Sequence, residues 1–267
     1  MRVLVTRPEP QATAWAKSLQ DSGIAAAALP LIDISAPKSP QAVRDTWARL
    51  REFRAVMFVS PAAVDWFFRL RPPSCMWPAS TLALAPGPGT AAVVRQHGQP
   101  AGLSEDQLIS PGAEAPQFDS ETLWPLLAPI DWNGQKVCIA SGGDGAEARG
   151  RTWLAQQWMA NGATVHVVLT YQRGAAQWSD DQQALLKQAL DAPETHLWLF
   201  SSSEAIELLA HQLIPRHVPT LTPNWRTVRA VVTHPRIAER ARELGMTKII
   251  QTKPSLTEVV QALRAAP

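Results

Sequence analysis

One tyrosine stands in the whole chain, Tyr171. A phenol can hand a hydrogen bond or a proton to a departing hydroxyl, which makes this side chain the first candidate for acid chemistry. It also suits plain packing at a bend. Elsewhere the chain offers groups fitted to anions. Arg7, in Thr6-Arg7-Pro8, presents a planar fork of donors that matches a carboxylate, or serves as a solvated surface cation. Ser60 and Ser201-Ser202-Ser203 stand where apolar runs turn into helices. A helix start exposes unpaired N–H groups and the positive end of a dipole, so these serines can cap, bind an anion, or do both. In Gly87-Pro88-Gly89-Thr90, Gly89 lets backbone approach a ligand and Thr90 adds a hydroxyl; an ordinary strand-to-helix turn explains them equally. Thr233-His234-Pro235-Arg236 occupies a corresponding place later in the chain, with His234 and the cation Arg236. Ser141-Gly142-Gly143-Asp144-Gly145 reads as a glycine-rich turn, an anion cradle or a loop, with Arg149 and Arg151 close behind.

Several other chemistries find no support. The Gly87 turn is neither a dinucleotide fingerprint nor a phosphate-binding loop ending in Gly-Lys-Ser/Thr. No Ser-His-Asp set and no HExxH emerges, and the six histidines are scattered. Cys75 and Cys138 lie far apart and outside any CxxC, which argues against a disulfide framework or zinc; Cys138 reads as a buried small hydrophobe. No metal or cofactor is expected. A net charge of +2 gives no global field for nucleic acid or membrane. No apolar stretch approaches the roughly 20 residues of a membrane span, and the start of the chain has no signal-peptide core. A soluble cytoplasmic protein is expected. Most of the 11 tryptophans are expected to pack.

The elements that must carry these groups occur twice. Arg2 to Thr6 reads as a strand and Pro10 to Gln20 as a helix stopped by Gly23; Lys136 to Ala140 and Arg151 to Met159, with Gly162, repeat the pattern. Phe58-Val59-Ser60-Pro61-Ala62-Ala63-Val64 matches Phe200-Ser201-Ser202-Ser203-Glu204-Ala205-Ile206, each after an apolar run. Pro88 with its helix to Gly98 matches Pro235 with its helix to Gly245, and Ser120 and Ser255 each open a helix. The four matches come in one order, as a tandem duplication predicts. Alternating strand and helix in each copy predicts an α/β fold with parallel sheets covered on both faces. In such sheets ligands bind beyond the carboxyl ends of the strands, where most of the motifs fall.

A β-rich segment follows the first strand-helix unit of each copy, residues 29–37 and 166–173, and the two can pair as connector strands. If the chain crosses over at both, one domain comprises 1–34 plus 174–267 and the other 38–168. Two continuous domains split near Asp131 are the alternative.

In this order the motifs resemble the uroporphyrinogen-III synthase family: Val3-Leu4-Val5-Thr6-Arg7-Pro8, Phe58 to Val64, Gly87 to Ala91, Asp119-Ser120-Glu121, Tyr171-Gln172-Arg173, Phe200 to Ser203 and the Pro235 turn. The resemblance spans nearly the whole chain. It implies two similar parallel-sheet α/β domains joined by a two-stranded β connector, the crossover layout, and a cleft for the substrate. It also implies the reaction: hydroxymethylbilane loses its hydroxyl to give an azafulvene, passes through a spiro-pyrrolenine, and recloses with one ring inverted. Tyr171 matches the family's tyrosine and is assigned to departure of the hydroxyl. Arg7, Ser60, Gly89, Thr90, Ser201, Ser202, His234 and Arg236 are assigned to the substrate's carboxylates. Two positions depart from the family's habit. Arg236-Ile237 replaces a frequent hydroxyl residue, and Ser141 replaces a frequent basic one, which shifts binding toward backbone amides. The expected partner is the small-molecule bilane alone, bound by a monomer. A non-enzymatic two-lobed protein that binds anionic ligands is the rival reading, and a two-domain glycosyltransferase a third.

Overall fold

The computed structural model describes residues 1–112, 114–115, 120–143 and 152–265; Asp119, Asp144, Gly145, Arg149 and Arg151 lie outside them. Among the described residues the strands are β1 (Arg2–Val5), β2 (Ala26–Ala28), β3 (Ile32–Ser35), β4 (Ala55–Phe58), β5 (Leu82–Leu84), β6 (Leu108–Ile109), β7 (Lys136–Gly143), β8 (Thr164–Ala175), β9 (His196–Phe200), β10 (Arg229–Val232) and β11 (Lys248–Gln251). They form a five-stranded sheet in the order β11-β10-β9-β1-β2 and a six-stranded sheet in the order β3-β8-β7-β4-β5-β6. The chain divides into two compact units, Met1–Ile34 with Gly174–Pro267, and Ser35–Arg173.

In the first unit all four neighbouring strand pairs are parallel. Successive side chains of a strand point to opposite faces, so a sheet covered on both sides needs apolar residues at every position. The inner residues of the central strands supply them. Val3 and Val5 of β1 and Leu197 and Leu199 of β9 pack with Ala12, Ala16, Leu19 and Leu263 on one face. Leu4, Trp198 and Phe200 pack on the other with Leu186, Ile206 and Leu209. The sheet therefore lies between two helical layers, which is the expected fold class.

The second unit repeats the logic. The pairs β4–β5, β4–β7, β5–β6 and β7–β8 are parallel. Val56 and Phe58 face an aromatic cluster with Trp47, Phe67, Phe68 and Trp77. Ala55 and Met57 face Trp132, Leu154 and Trp158. Trp47, Trp77 and Trp132 each donate their indole N–H to a backbone carbonyl, which lets a polar ring atom sit in the core at little cost. Cys138 is buried on the sheet, and burial pushes its thiol up to about 12, as a structural cysteine should be.

Two expectations change. Ser141-Gly142-Gly143 is not a turn: β7 runs through all three residues and continues its pairing with β8. The connector segment 166–173 is likewise part of a longer strand, the 12-residue β8. Trp178 donates to the carbonyl of Pro30 in the first unit, and Gln172 to that of Ala36 in the second, so the chain on either side of β3 is tied to residues near the end of β8.

Candidate active site

The ends of β4, β7 and β8 build the first constellation. Every residue of β4 is buried, and the chain leaves it through Val59 into the helix Pro61–Arg69. Ser60 is the N-cap, in extended conformation, and its Oγ accepts from the Ala63 amide at 3.2 Å. A cap of this kind is worth about 1 kcal/mol, and it pins the hydroxyl in place. The same Oγ lies 3.2 Å from the phenol oxygen of Tyr171.

Tyr171 reaches that position through an irregularity. Along the β7–β8 ladder Ser141 pairs with Leu169, but the next residue, Gly142, pairs with Tyr171. Thr170 is the extra residue of a bulge, and its hydroxyl donates to the Ser141 carbonyl at 3.1 Å. A bulge re-aims the side chains around it, here the phenol ring. The ring lies against the bare Cα of Gly142. A Cβ built on Gly142 would come within 2.2 Å of the ring carbon Cζ and 2.6 Å of the phenol oxygen. Only glycine leaves that space open. Arg173 completes the group, with Nη2 3.2 Å from the phenol oxygen. Tyr171 is 1% exposed and Ser60 and Arg173 half-buried, so the hydroxyl sits in a screened setting where its hydrogen bonds count. The Ser141 hydroxyl is buried in the strand without a partner among the described residues.

Gly87 caps the helix Pro88–Gly98 in the same unit. Gly89 is exposed, and a Cβ there would meet nothing within 4 Å, so the chain's own packing does not require glycine at that point. Thr90 is buried at 6% exposure in the first helical turn. Its hydroxyl is therefore less open than an exposed turn residue would be.

The first unit presents a second group at the ends of β1, β9 and β10. The Thr6 hydroxyl donates to the Leu199 carbonyl at 2.8 Å and ties two strand ends together. Arg7 follows. Its guanidinium lies 3.9 Å over the Trp15 ring and donates to Gln11 at 3.3 Å. Burial pulls its pKa below the ordinary arginine range, and its Nε is buried with no hydrogen-bond partner among the described residues. A cation so desolvated, with no carboxylate beside it among those residues, would gain from a charge-assisted hydrogen bond to an anion. Ser202 is the extended N-cap of the helix Ser203–Leu208, yet its side chain makes no capping bond, and Ser201 and Ser202 are half-buried. The His234 Nδ1 caps the helix Pro235–Glu243 by accepting from the Arg236 amide at 3.1 Å. That bond assigns the ring proton to Nε2. His234 and Arg236 are both exposed.

Comparison with known proteins supplies the context. The family model of uroporphyrinogen-III synthase HemD matches residues 13–261. The chain belongs to the uroporphyrinogen-III synthase family. Solved structures agree on the fold. A mutant uroporphyrinogen III synthase from the extremely thermophilic bacterium Thermus thermophilus superposes with a TM-score of 0.55 at 16% identity, over 99% of this chain and 96% of that one. The uroporphyrinogen-III synthetase of Helicobacter pylori gives 0.55 at 15% identity, over 98% and 97%. Among the described residues no helix is long and apolar enough to cross a membrane.

Within this uroporphyrinogen-III synthase fold the structure brings Tyr171 and Ser60 into contact, and sets Arg7, Ser201, Ser202, His234 and Arg236 at strand ends of the other sheet. Sequence reasoning missed the parts that hold the phenol: Gly142 beneath the ring, the bulge at Thr170, and Arg173 beside the hydroxyl. A glycine pair ending an apolar run, Cys138-Ile139-Ala140-Ser141-Gly142-Gly143, was the available signal for close approach inside a strand.

Proposed function

We propose that this chain is a cyclising hydro-lyase that takes the terminal hydroxyl from hydroxymethylbilane and closes the macrocycle with one pyrrole inverted. The observation that carries the reading is the phenol of Tyr171, held 3.2 Å from Ser60 at the strand ends of a chain with this family membership. Tyr171 donates to the leaving hydroxyl, and Ser60 is the resting acceptor of the phenol proton. The pyrrole nitrogen pushes electrons toward the breaking C–O bond, so one positioned acid suffices. The substituted carbon of the terminal ring then attacks, and the spiro intermediate fragments and recloses. The larger task is holding a flexible chain in a ring-closing conformation. The phenol is 1% exposed, so the groups over it move to admit the substrate.

Carboxylates on every ring of the bilane call for several anion contacts. Arg7 provides a desolvated guanidinium, and Ser201 and Ser202, with Gly89 and Thr90 in the other unit, offer amides and hydroxyls at helix starts. His234 contributes an Nε2–H donor and Arg236 a cation. The Arg7→Gln variant is expected to raise KM about 10-fold, the cost of one charge-assisted hydrogen bond, with a smaller change in kcat. Steady-state kinetics checks it; an unchanged KM removes Arg7 from the binding set. We further propose that the chain works as a cytoplasmic monomer without metal or cofactor, and binds neither nucleic acid nor membrane. The test is the rate of bilane consumption by purified protein in a chelator. The reading requires consumption faster than in buffer and proportional to protein; a rate equal to buffer refutes it.

A further inference from the structure

We propose that Arg173 is a positioning residue that fixes the direction of the Tyr171 proton. The inference rests on the function proposed above and adds to it a residue and a role.

A guanidinium can only donate hydrogen bonds. Its Nη2 is 3.2 Å from the phenol oxygen, and its carbon lies over the ring, 5.7 Å from the centroid. The phenol oxygen therefore accepts from Arg173. One of its lone pairs is delocalised into the ring, so this bond takes up most of what the oxygen can accept. Its single proton must then point elsewhere, and the neighbouring oxygen is Ser60 Oγ at 3.2 Å. Ser60 is held by the Ala63 amide at 3.2 Å, so it stays in place to receive that proton. The donation runs in one direction, from Arg173 to Tyr171 to Ser60. Without Arg173, the Ser60 hydroxyl can donate to the phenol instead, and the acid proton turns away from the site.

The same order serves the reaction. When the bilane's hydroxyl replaces Ser60 as acceptor, the C–O bond breaks with its electron pair on oxygen, and the phenol proton completes a water molecule. The pyrrole nitrogen supplies the electron pair that forms the exocyclic double bond. The phenolate left behind faces the Arg173 cation. It regains a proton from the ring carbon that loses one after the new carbon–carbon bond has formed, so the cycle closes with the loss of one water.

Two measurements test this. Tyr171 is the only tyrosine, so protein labelled with 13C at the tyrosine ζ carbon gives one resonance, sensitive to hydrogen bonding at the phenol oxygen. The Arg173→Met variant is expected to move that resonance, and Arg173→Lys, which restores a donor, to return it toward the wild-type position. An unmoved resonance in Arg173→Met overturns the proposal without reference to activity. The second measurement is a kinetic cycle with Tyr171→Phe. Arg173→Met is expected to lower kcat about 10- to 100-fold with little change in KM, as loss of a hydrogen bond to a charged group does. In the Tyr171→Phe background the same change is expected to cost almost nothing. An equal loss in both backgrounds, or a raised KM with kcat intact, shows that Arg173 acts on the substrate and overturns its role through the phenol. If wild-type protein consumes no bilane, the function is refuted, while the resonance still decides whether Arg173 directs the phenol.

Discussion

In the Tyr171→Phe variant, kcat for bilane consumption is expected to fall about 100-fold, the lower range for loss of a general acid, and KM to change far less. The substitution keeps the ring against Gly142 and removes only the oxygen that meets Ser60 and Arg173. Half-buried Ser60 and Arg173 can rehydrate, so the stability loss is about 1 kcal/mol, a fall in Tm of about 2–4 °C for a chain of this size. Steady-state kinetics beside a thermal melt separates the two effects. Wild-type kcat in the variant would remove the phenol from the chemistry, and a large fall in Tm would make its role structural.

Gly142→Ala is expected to be as damaging to turnover and worse for stability. The new methyl would lie 2.2 Å from Cζ and 2.3 Å from Cε2 of a ring that is 1% exposed, and the backbone on both sides is held in the β7–β8 ladder. The ring must leave its place. Overpacking of this kind costs about 1–3 kcal/mol, and the displaced phenol no longer meets Ser60. A second substitution gives the diagnosis. With Tyr171→Ala in place there is no ring to strike, so adding Gly142→Ala should lower Tm little further. Independent, additive losses would mean that the glycine serves the backbone and not the phenol.

How far the sequence foretells these features differs from element to element. β4 and β9 are legible because each carries an apolar run, Ala55 to Phe58 and Leu197 to Phe200, that leads into serine, and burial on both faces of a parallel sheet leaves few other uses for such a run. Ser60 as an N-cap is legible for the same reason. β2 is not. Ala26-Ala27-Ala28 has the local preference of a helix, and pairing with β1 overrides it. Ser141-Gly142-Gly143 reads as a turn because glycine usually punctuates. Its use here is to make room for a side chain from the next strand, a requirement visible only once the register is known. The bulge at Thr170 is hidden for the same reason, since a register shift belongs to a pair of strands and neither strand encodes it alone. Arg173 stands out in the connector, but its contact with the phenol depends on that bulge. The burial of Thr90 is also hidden: its place after the glycine turn is legible, but that the first helical turn covers it depends on the packing of that helix.

The isomer composition of the product is the most direct measure of the whole account. Purified protein is incubated with hydroxymethylbilane, the product is oxidised, and the porphyrins are separated by chromatography. The account predicts the type III isomer, with one ring inverted, in excess over the type I isomer of spontaneous closure. Type I alone would contradict it.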